Sequence, residues 1–588
     1  MTLSRAERAA VIFGLGAALV AAAGAVRAIR PLLLTDPDPG WVMPRLLLTL
    51  AAIAGTAAAG SLCAAAFLLW SRSAVARAPL DPLPWRATTL AAVAIGAVAA
   101  AAAARFTRLS SVPLALWIED LTLIDPSLAL SGTFRDFADA IRPAPFGVAR
   151  PYGSVGVVYL ELFRATLHAL GATVFGVRFL SALAGTLSCV TAIALGRALL
   201  PRGGGTLAGL VLAGLRWSLI LSRWGYVAIV IAPLVDLAAL ALLRAVRRRS
   251  AASAFAGGAL LGLGAHVYLA TWIALAAFLL FTVWPLEGGP PPARRVRHAL
   301  AVAAGFALLA APLFLLREGR RSPYFARAGD QSMARELRAA RSPWPTLSSA
   351  ADAIAAPWWR PDPSPWQDVP RPRLGWLIGI PVAVALARAL LFPAREISAF
   401  LLAHAAAACA AFVASGPVMQ PNGFRFAYLT TVTAVAAAAG VLALVGAVPR
   451  RAARPVALGA VGVLLVAGAL SVRALFLEWA PRLAVLDGFE GHDNLLARTA
   501  LVWERVGRVE IDARLVHWTP AVEAVRRVRR ADAAAAPVPP GRRVFRVAPP
   551  KAPLETGERV VSRISDERGA PWAVVLGKRT NQEVDAQR

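Results

Sequence analysis

Residues 177–200 read VRFLSALAGTLSCVTAIALGRALL, an apolar run with Arg178 at its head, Arg197 near its foot and Arg202 just beyond. A helix needs about 20 consecutive apolar residues to cross the hydrocarbon of a bilayer, and this run supplies them. Short arginine-bearing loops mark the cytoplasmic side, so the helix is predicted to start outside and end inside. Downstream the pattern repeats. Thr206–Leu221 returns outward to Ser222-Arg223-Trp224-Gly225-Tyr226, and Val227–Leu243 goes back to a cluster at Arg244, Arg247, Arg248 and Arg249. Ala251–Ala265 and Leu269–Leu286 form a pair turning outside at His266-Val267-Tyr268. Leu300–Leu316 follows the inner, Pro- and Arg-rich residues 288–298. After a long outer segment, 317–373, come Leu374–Phe392, Ile397–Ala414, Phe426–Val448 and Val456–Ala474.

Upstream lie three more runs, Ala9–Val26, Leu46–Trp70 and Ala87–Ala104, with Arg72, Arg77 and Arg86 between the last two. The expected fold is therefore an all-α polytopic membrane bundle of about thirteen spans. Four regions follow: N-terminal spans to residue 104, a first outer loop over 105–176, a membrane core over 177–475 that includes the loop 317–373, and a tail over 476–588. The tail is polar and mixed, with strands expected at Val544–Val547 and Trp572–Leu576 and a helix at Pro520–Arg530. It reads as a small soluble α/β domain on the outer side.

Composition agrees. Of 588 residues 58% are hydrophobic and only 16% charged, so the formal charge of +28 does not signal a nucleic-acid partner. The arginines sit between apolar runs, as loop charges do. Cys63, Cys189 and Cys409 each fall inside an apolar run, far apart, and read as small core residues.

Carboxylates are costly in such a chain and are usually paired or functional. Trp117-Ile118-Glu119-Asp120, continuing to Asp125, places three of them just after a span, at the expected outer mouth. The same loop carries Arg150-Pro151-Tyr152 and then Ser154–Leu170. The latter is apolar but bears Glu161, Arg164 and His168 on one helical face. A helix so marked is expected to lie along the interface rather than cross it.

These pieces, in order, resemble a known family. The acidic pair after an early span, "VRFLSALAGTLSCVTAIALGR", "LILSRWGYVAIVIAPLVD", "GLGAHVYLATWI", "SPYFARAGDQS" and "PNGFRFAYLTTVTAVAAAAGV" resemble the GT-C class of integral-membrane glycosyltransferases. The nearest group is the family-39-like one, which contains the protein O-mannosyltransferases and lipid A aminoarabinose transferases. The resemblance spans roughly residues 116–448.

It implies a transferase moving a hexose or pentose from a polyprenyl-phosphate donor to a periplasmic glycolipid, polysaccharide or protein, by inverting displacement, in the inner membrane. Glu119 or Asp120 would be the base; the family's order is Asp-Glu, here inverted. Arg150, Arg223 and Arg425 are candidates for the donor phosphate, because a guanidinium pairs bidentately with phosphate oxygens. Tyr152, His266, Tyr268 and Asn422 are candidate substrate contacts. Many relatives hold a divalent cation with a second acidic residue; that position here is Ala232, with Asp236 one turn deeper, so no metal ligand set is assigned. The alternatives are a transporter or flippase of lipid-linked saccharide, or a catalytically degenerate relative that binds polyprenyl lipid.

Overall fold

A computed structural model describes residues 4–34, 42–113, 123–131, 156–315, 344–355, 374–415, 423–482 and 491–504, and most of 508–578. It also describes Leu116, Leu121, Met333, Leu337, Arg338 and Trp358. Glu119, Asp120, Arg150, Tyr152 and Asn422 lie outside the described residues.

The helices are α1 (Arg5–Leu34), α2 (Val42–Ser71), α3 (Ala87–Phe106), α4 (Val157–Leu170), α5 (Val174–Leu199), α6 (Gly204–Gly214), α7 (Arg216–Leu221), α8 (Ile231–Arg248), α9 (Ala251–Ala265), α10 (Thr271–Val283) and α11 (Pro292–Leu315). They continue as α12 (Trp344–Ala355), α13 (Gly375–Leu391), α14 (Glu396–Ala414), α15 (Leu429–Gly446), α16 (Arg450–Ala474), α17 (Gly491–Glu504) and α18 (Thr519–Asp532).

Among the described residues eight helical stretches are long and apolar enough to cross a membrane, and four shorter apolar helices join them. With the 24-residue α11, they correspond one for one to the expected runs. The chain is a polytopic membrane protein. One expected run is broken: Thr206–Leu221 becomes α6 and α7, parted at Leu215 (φ −69°, ψ 109°). A second begins with a 3₁₀ turn, Val227–Val230, before α8.

Loop contacts sort the bundle into two ends. At one, Arg202 donates to the Trp85 carbonyl at 2.6 Å, and Arg388 donates to those of Val75, Ala76 and Ala78 at 2.7, 2.7 and 2.6 Å. Arg247 grips the Glu396 carboxylate there with two donors, and the Trp284 indole reaches the Pro393 carbonyl at 2.8 Å. These are the arginine-bearing loops. At the other end sit residues 107–112, 222–226, 266–268 and 423–426, described below.

α4 has both its ends there. Its first turn meets His266, whose carbonyl accepts from the Tyr159 N–H at 3.4 Å. A Cβ on Gly156 would lie 2.4 Å from that same oxygen, which is why glycine stands at this close approach. Its last residue leads through Gly171 (φ 75°) into α5, which starts at the same end. A helix of 14 residues with both termini at one end runs across that end of the bundle.

The chain after the last span forms a four-stranded sheet ordered β1-β2-β4-β3: β1 (Arg508–Ile511), β2 (Val544–Ala548), β3 (Glu558–Ser565) and β4 (Pro571–Lys578). β1 and β2 run parallel, and the other neighbours antiparallel. α17 and α18 pack together and α17 packs on β1, with its Trp503 beside Phe545 of β2 at 4.9 Å between ring centres. The expected strands β2 and β4 and the helix α18 are present. β1, β3 and α17 were not anticipated, because β1 is four residues long and β3 is rich in charge.

Candidate active site

Four turns converge at the end opposite the arginine loops, and Arg223 is their hub. Its five N–H groups all donate to main-chain carbonyls: Nε to Val112 at 3.3 Å, Nη1 to Ala104 and Arg105 at 2.8 Å each, and Nη2 to Thr107 at 2.8 Å and Val112 at 3.1 Å. Those carbonyls are the orphan acceptors at the end of α3 and the turn that follows. The guanidinium also stacks on Phe476, 4.9 Å from the ring centre. Burial, and then the neighbouring Arg105, lower its pKa to about 10, and it stays charged at neutral pH. A guanidinium has five donors, so none is left for a phosphate. In this structure Arg223, expected at the donor phosphate, braces the turn that follows α3. Arg178 assists, donating from Nη1 to the Leu109 carbonyl at 2.8 Å.

The second and third turns are locked together by aromatic rings. Tyr226 meets Tyr268 at 6.0 Å and Phe424 at 5.4 Å, each edge-on, and Phe424 lies 6.4 Å from Tyr268. The Ser181 hydroxyl donates to the Tyr226 carbonyl at 2.8 Å. His266 and Tyr268, expected as headgroup contacts on a wet turn, are both buried. His266 engages the Leu309 carbonyl through Nε2 at 2.7 Å, and burial lowers its pKa despite that bond. In this structure these two side chains pack the turn.

The fourth turn, Gly423–Phe426, carries half-buried Arg425. It is hung from α7 by the Trp217 indole, which donates to the Gly423 carbonyl at 3.1 Å. Beneath it opens an apolar cavity of about 310 Å³ between α12, α13, α14 and α15. Trp217, Trp358, Leu386, His404, Phe412 and Phe426 are among its walls. Trp217 and Phe426 place its upper part directly against the turn that bears Arg425. His404 is buried on α14 and tied through Nδ1 to the Phe400 carbonyl at 2.8 Å. Sequence reading passed over it because one histidine in an alanine run carries no pattern.

The acidic loop is reached through described residues on both sides. Leu116 is buried and bonded through both main-chain groups to Asn494. Leu121, Leu123 and Ile124 are buried beyond the acidic pair. Asp125 pairs with Arg527 of α18.

No cation site is built around Asp236. It lies inside α8, and its Oδ2 accepts from the hydroxyls of Thr191 at 2.5 Å and Thr431 at 3.0 Å. Two hydroxyl donors satisfy a buried carboxyl rather than complete a metal shell. Among the described residues no three His, Cys, Asp or Glu side chains come together.

Fold and site thus define a multi-pass membrane protein with one elaborated end. No protein-family model and no curated protein matches the chain. In structure it is similar to ArnT from Cupriavidus metallidurans in the apo state, with a TM-score of 0.49 and 14% identity, over 83% of this chain and 98% of that one. ArnT bound to undecaprenyl phosphate gives 0.44 and 14%, over 84% and 98%. The archaeal oligosaccharyltransferase AglB from Archaeoglobus fulgidus, in complex with an inhibitory peptide and a dolichol-phosphate, also gives 0.44 and 14%, over 74% and 63%. Likenesses of this size assign no activity and no residue role to this chain.

Proposed function

We propose that this protein is a membrane glycosyltransferase that takes a sugar from a polyprenyl-phosphate donor and passes it to an acceptor on the extracytoplasmic side of the inner membrane. One observation carries the reading: the turn bearing Arg425 lies over an apolar cavity between spans, at the end of the bundle where the stem of the acidic loop is anchored. An isoprenoid tail needs an apolar slot, its phosphate needs a cation at the mouth, and an attacking hydroxyl needs a carboxylate within hydrogen-bond reach. The ordered sequence fragments that resemble family-39-like enzymes point the same way.

In this reading Glu119 or Asp120 accepts the proton of the acceptor hydroxyl as it attacks the anomeric carbon. The donor C–O bond breaks with inversion, and the polyprenyl phosphate leaves with the bonding electrons. Arg425, with Arg150, meets the phosphate charge. Arg223 acts at one remove, by shaping the loop that carries the base.

Purified protein offered a panel of polyprenyl-phosphate sugars is expected to cleave one of them. Glu119→Gln and Asp120→Asn should bind that donor as wild type does. At least one should turn over about 10²-fold more slowly, the scale of a lost general base. Undiminished turnover in both variants would remove the acidic pair from the reaction.

A further inference from the structure

Asn494 sits on α17, beyond the last span, yet its side chain does for Leu116 what a neighbouring β-strand would. Its Oδ1 accepts from the Leu116 N–H at 3.0 Å, and its Nδ2 donates to the Leu116 carbonyl at 3.2 Å, across 378 positions of sequence. Both residues are buried, 1% exposed each. Buried main-chain groups require partners, and here a single amide side chain supplies both. Leu116 is the residue immediately before Trp117-Ile118-Glu119-Asp120.

Past the acidic pair, Asp125 is held by Arg527 on α18. α17 and α18 form one body: Leu496, Ala497, Ala500, Val522, Val525 and Val528 are buried in the shared core, and Arg526 pairs with Glu504 across it. α18 also rests on α5 of the bundle. The chain entering the acidic segment and the chain leaving it are thus tied to the same helix pair.

We infer that the helix pair α17–α18 is a positioning device for the acidic segment, with Asn494 setting the chain before it and Arg527 the chain after it. Catalytic side chains have to be held within about half an ångström of their working geometry, and the described part of this loop offers only the five-residue helix Ile124–Leu128. The C-terminal region supplies that support. This inference rests on the proposal that Glu119 or Asp120 is the base, so its test carries a readout that does not depend on turnover.

The full-length protein in detergent is compared as wild type, Asn494→Ala, Arg527→Asp, Asp125→Arg and the Asp125→Arg/Arg527→Asp double variant. Two quantities are measured: kcat and KM for the donor, and hydrogen exchange of main-chain amides over residues 111–131. Asn494→Ala is expected to lower kcat at least tenfold with donor KM within twofold, and to speed exchange in 111–131 at least tenfold while leaving β2 and β4 protected. Arg527→Asp should lower kcat about threefold, and the double variant should restore it to within twofold. Wild-type kcat in a folded Asn494→Ala protein would overturn the inference, as would exchange that rises equally throughout the C-terminal strands. If Asn494→Ala does not fold, the charge-swapped pair decides: no loss in Arg527→Asp, or no recovery in the double variant, overturns it. If the wild type cleaves no sugar while Asn494→Ala still loosens 111–131 alone, the anchoring stands and the catalytic reading falls.

Discussion

Two arginines illustrate how burial divides roles that look alike in sequence. Arg223 spends every donor on main-chain carbonyls, whereas Arg425 is half-buried in the turn whose Phe426 lines the apolar cavity. Arg223→Lys replaces a planar fork by a point charge and strands several buried carbonyls, each of which costs roughly 1–3 kcal/mol when unsatisfied. Its unfolding temperature is expected to fall sharply, with donor affinity intact in the fraction that remains folded. Arg425→Lys should do the reverse, unfolding like wild type but binding the donor at least tenfold more weakly. Thermal unfolding and donor binding on both variants check the contrast. His266 adds a pH dependence. Burial holds it neutral in the fold, below the ordinary histidine value of 6.5. Above that value folded and unfolded chains bind the same number of protons there. As pH falls below it, the unfolded chain takes up a proton first, so stability is lost towards the lower folded pKa. His266→Gln should flatten this loss between pH 6.5 and 5.5 in thermal unfolding.

Helices in this protein meet through small residues, the packing that lipid favours where no hydrophobic force drives spans together. A Cβ on Gly440 of α15 would stand 1.9 Å from the Pro381 carbonyl oxygen of α13, and one on Gly258 of α9 would stand 2.0 Å from that of Val302 on α11. Those contacts are with backbone, which cannot swing aside. Because Val382 and Leu386 on α13 and Val432 and Ala436 on α15 line the cavity, parting that pair reshapes it. Gly440→Ala is expected to cost about 1–3 kcal/mol of overpacking and to weaken donor binding. Gly459→Ala on α16, where an added Cβ meets nothing within 4 Å, should leave both unchanged. Paired melting and binding curves distinguish them. Elements of this kind were legible in advance: runs of apolar residues marked the spans to within about eight positions at either end. The role of Arg223 was not, because an arginine that caps another helix and one that binds a phosphate are the same letter in the same kind of turn. Asn494 carried no signal at all, since its partner is a main chain 378 positions away. The break at Leu215 escaped because its one local signal, Gly214, stands in an apolar run with no proline beside it.

At the scale of the whole molecule the two ends of the bundle are expected to face opposite sides of a membrane, and the apolar helices among the described residues set the parity expected between two points. From the turn before α11 to the strands after α16 the chain passes through α11, α13, α14, α15 and α16. α12 lies between the first two, but it has 12 residues and is not among the apolar helices counted as spans. Five crossings put Ala293 and Leu554 on opposite sides. Both are exposed, so each can carry a reporter cysteine once Cys63, Cys189 and Cys409 are replaced. Ala293 lies in the first turn of α11 beside Arg294, Arg295 and Arg297, and arginine-rich ends of spans stay in the cytoplasm. A membrane-impermeant thiol reagent added to intact cells should therefore label Leu554→Cys and spare Ala293→Cys until the cells are opened. Labelling of both from outside would mean that one of the five helices does not cross. Labelling of Ala293→Cys alone would invert the whole bundle, placing the acidic loop and the cavity mouth on the cytoplasmic face and removing the extracytoplasmic acceptor from the proposed reaction.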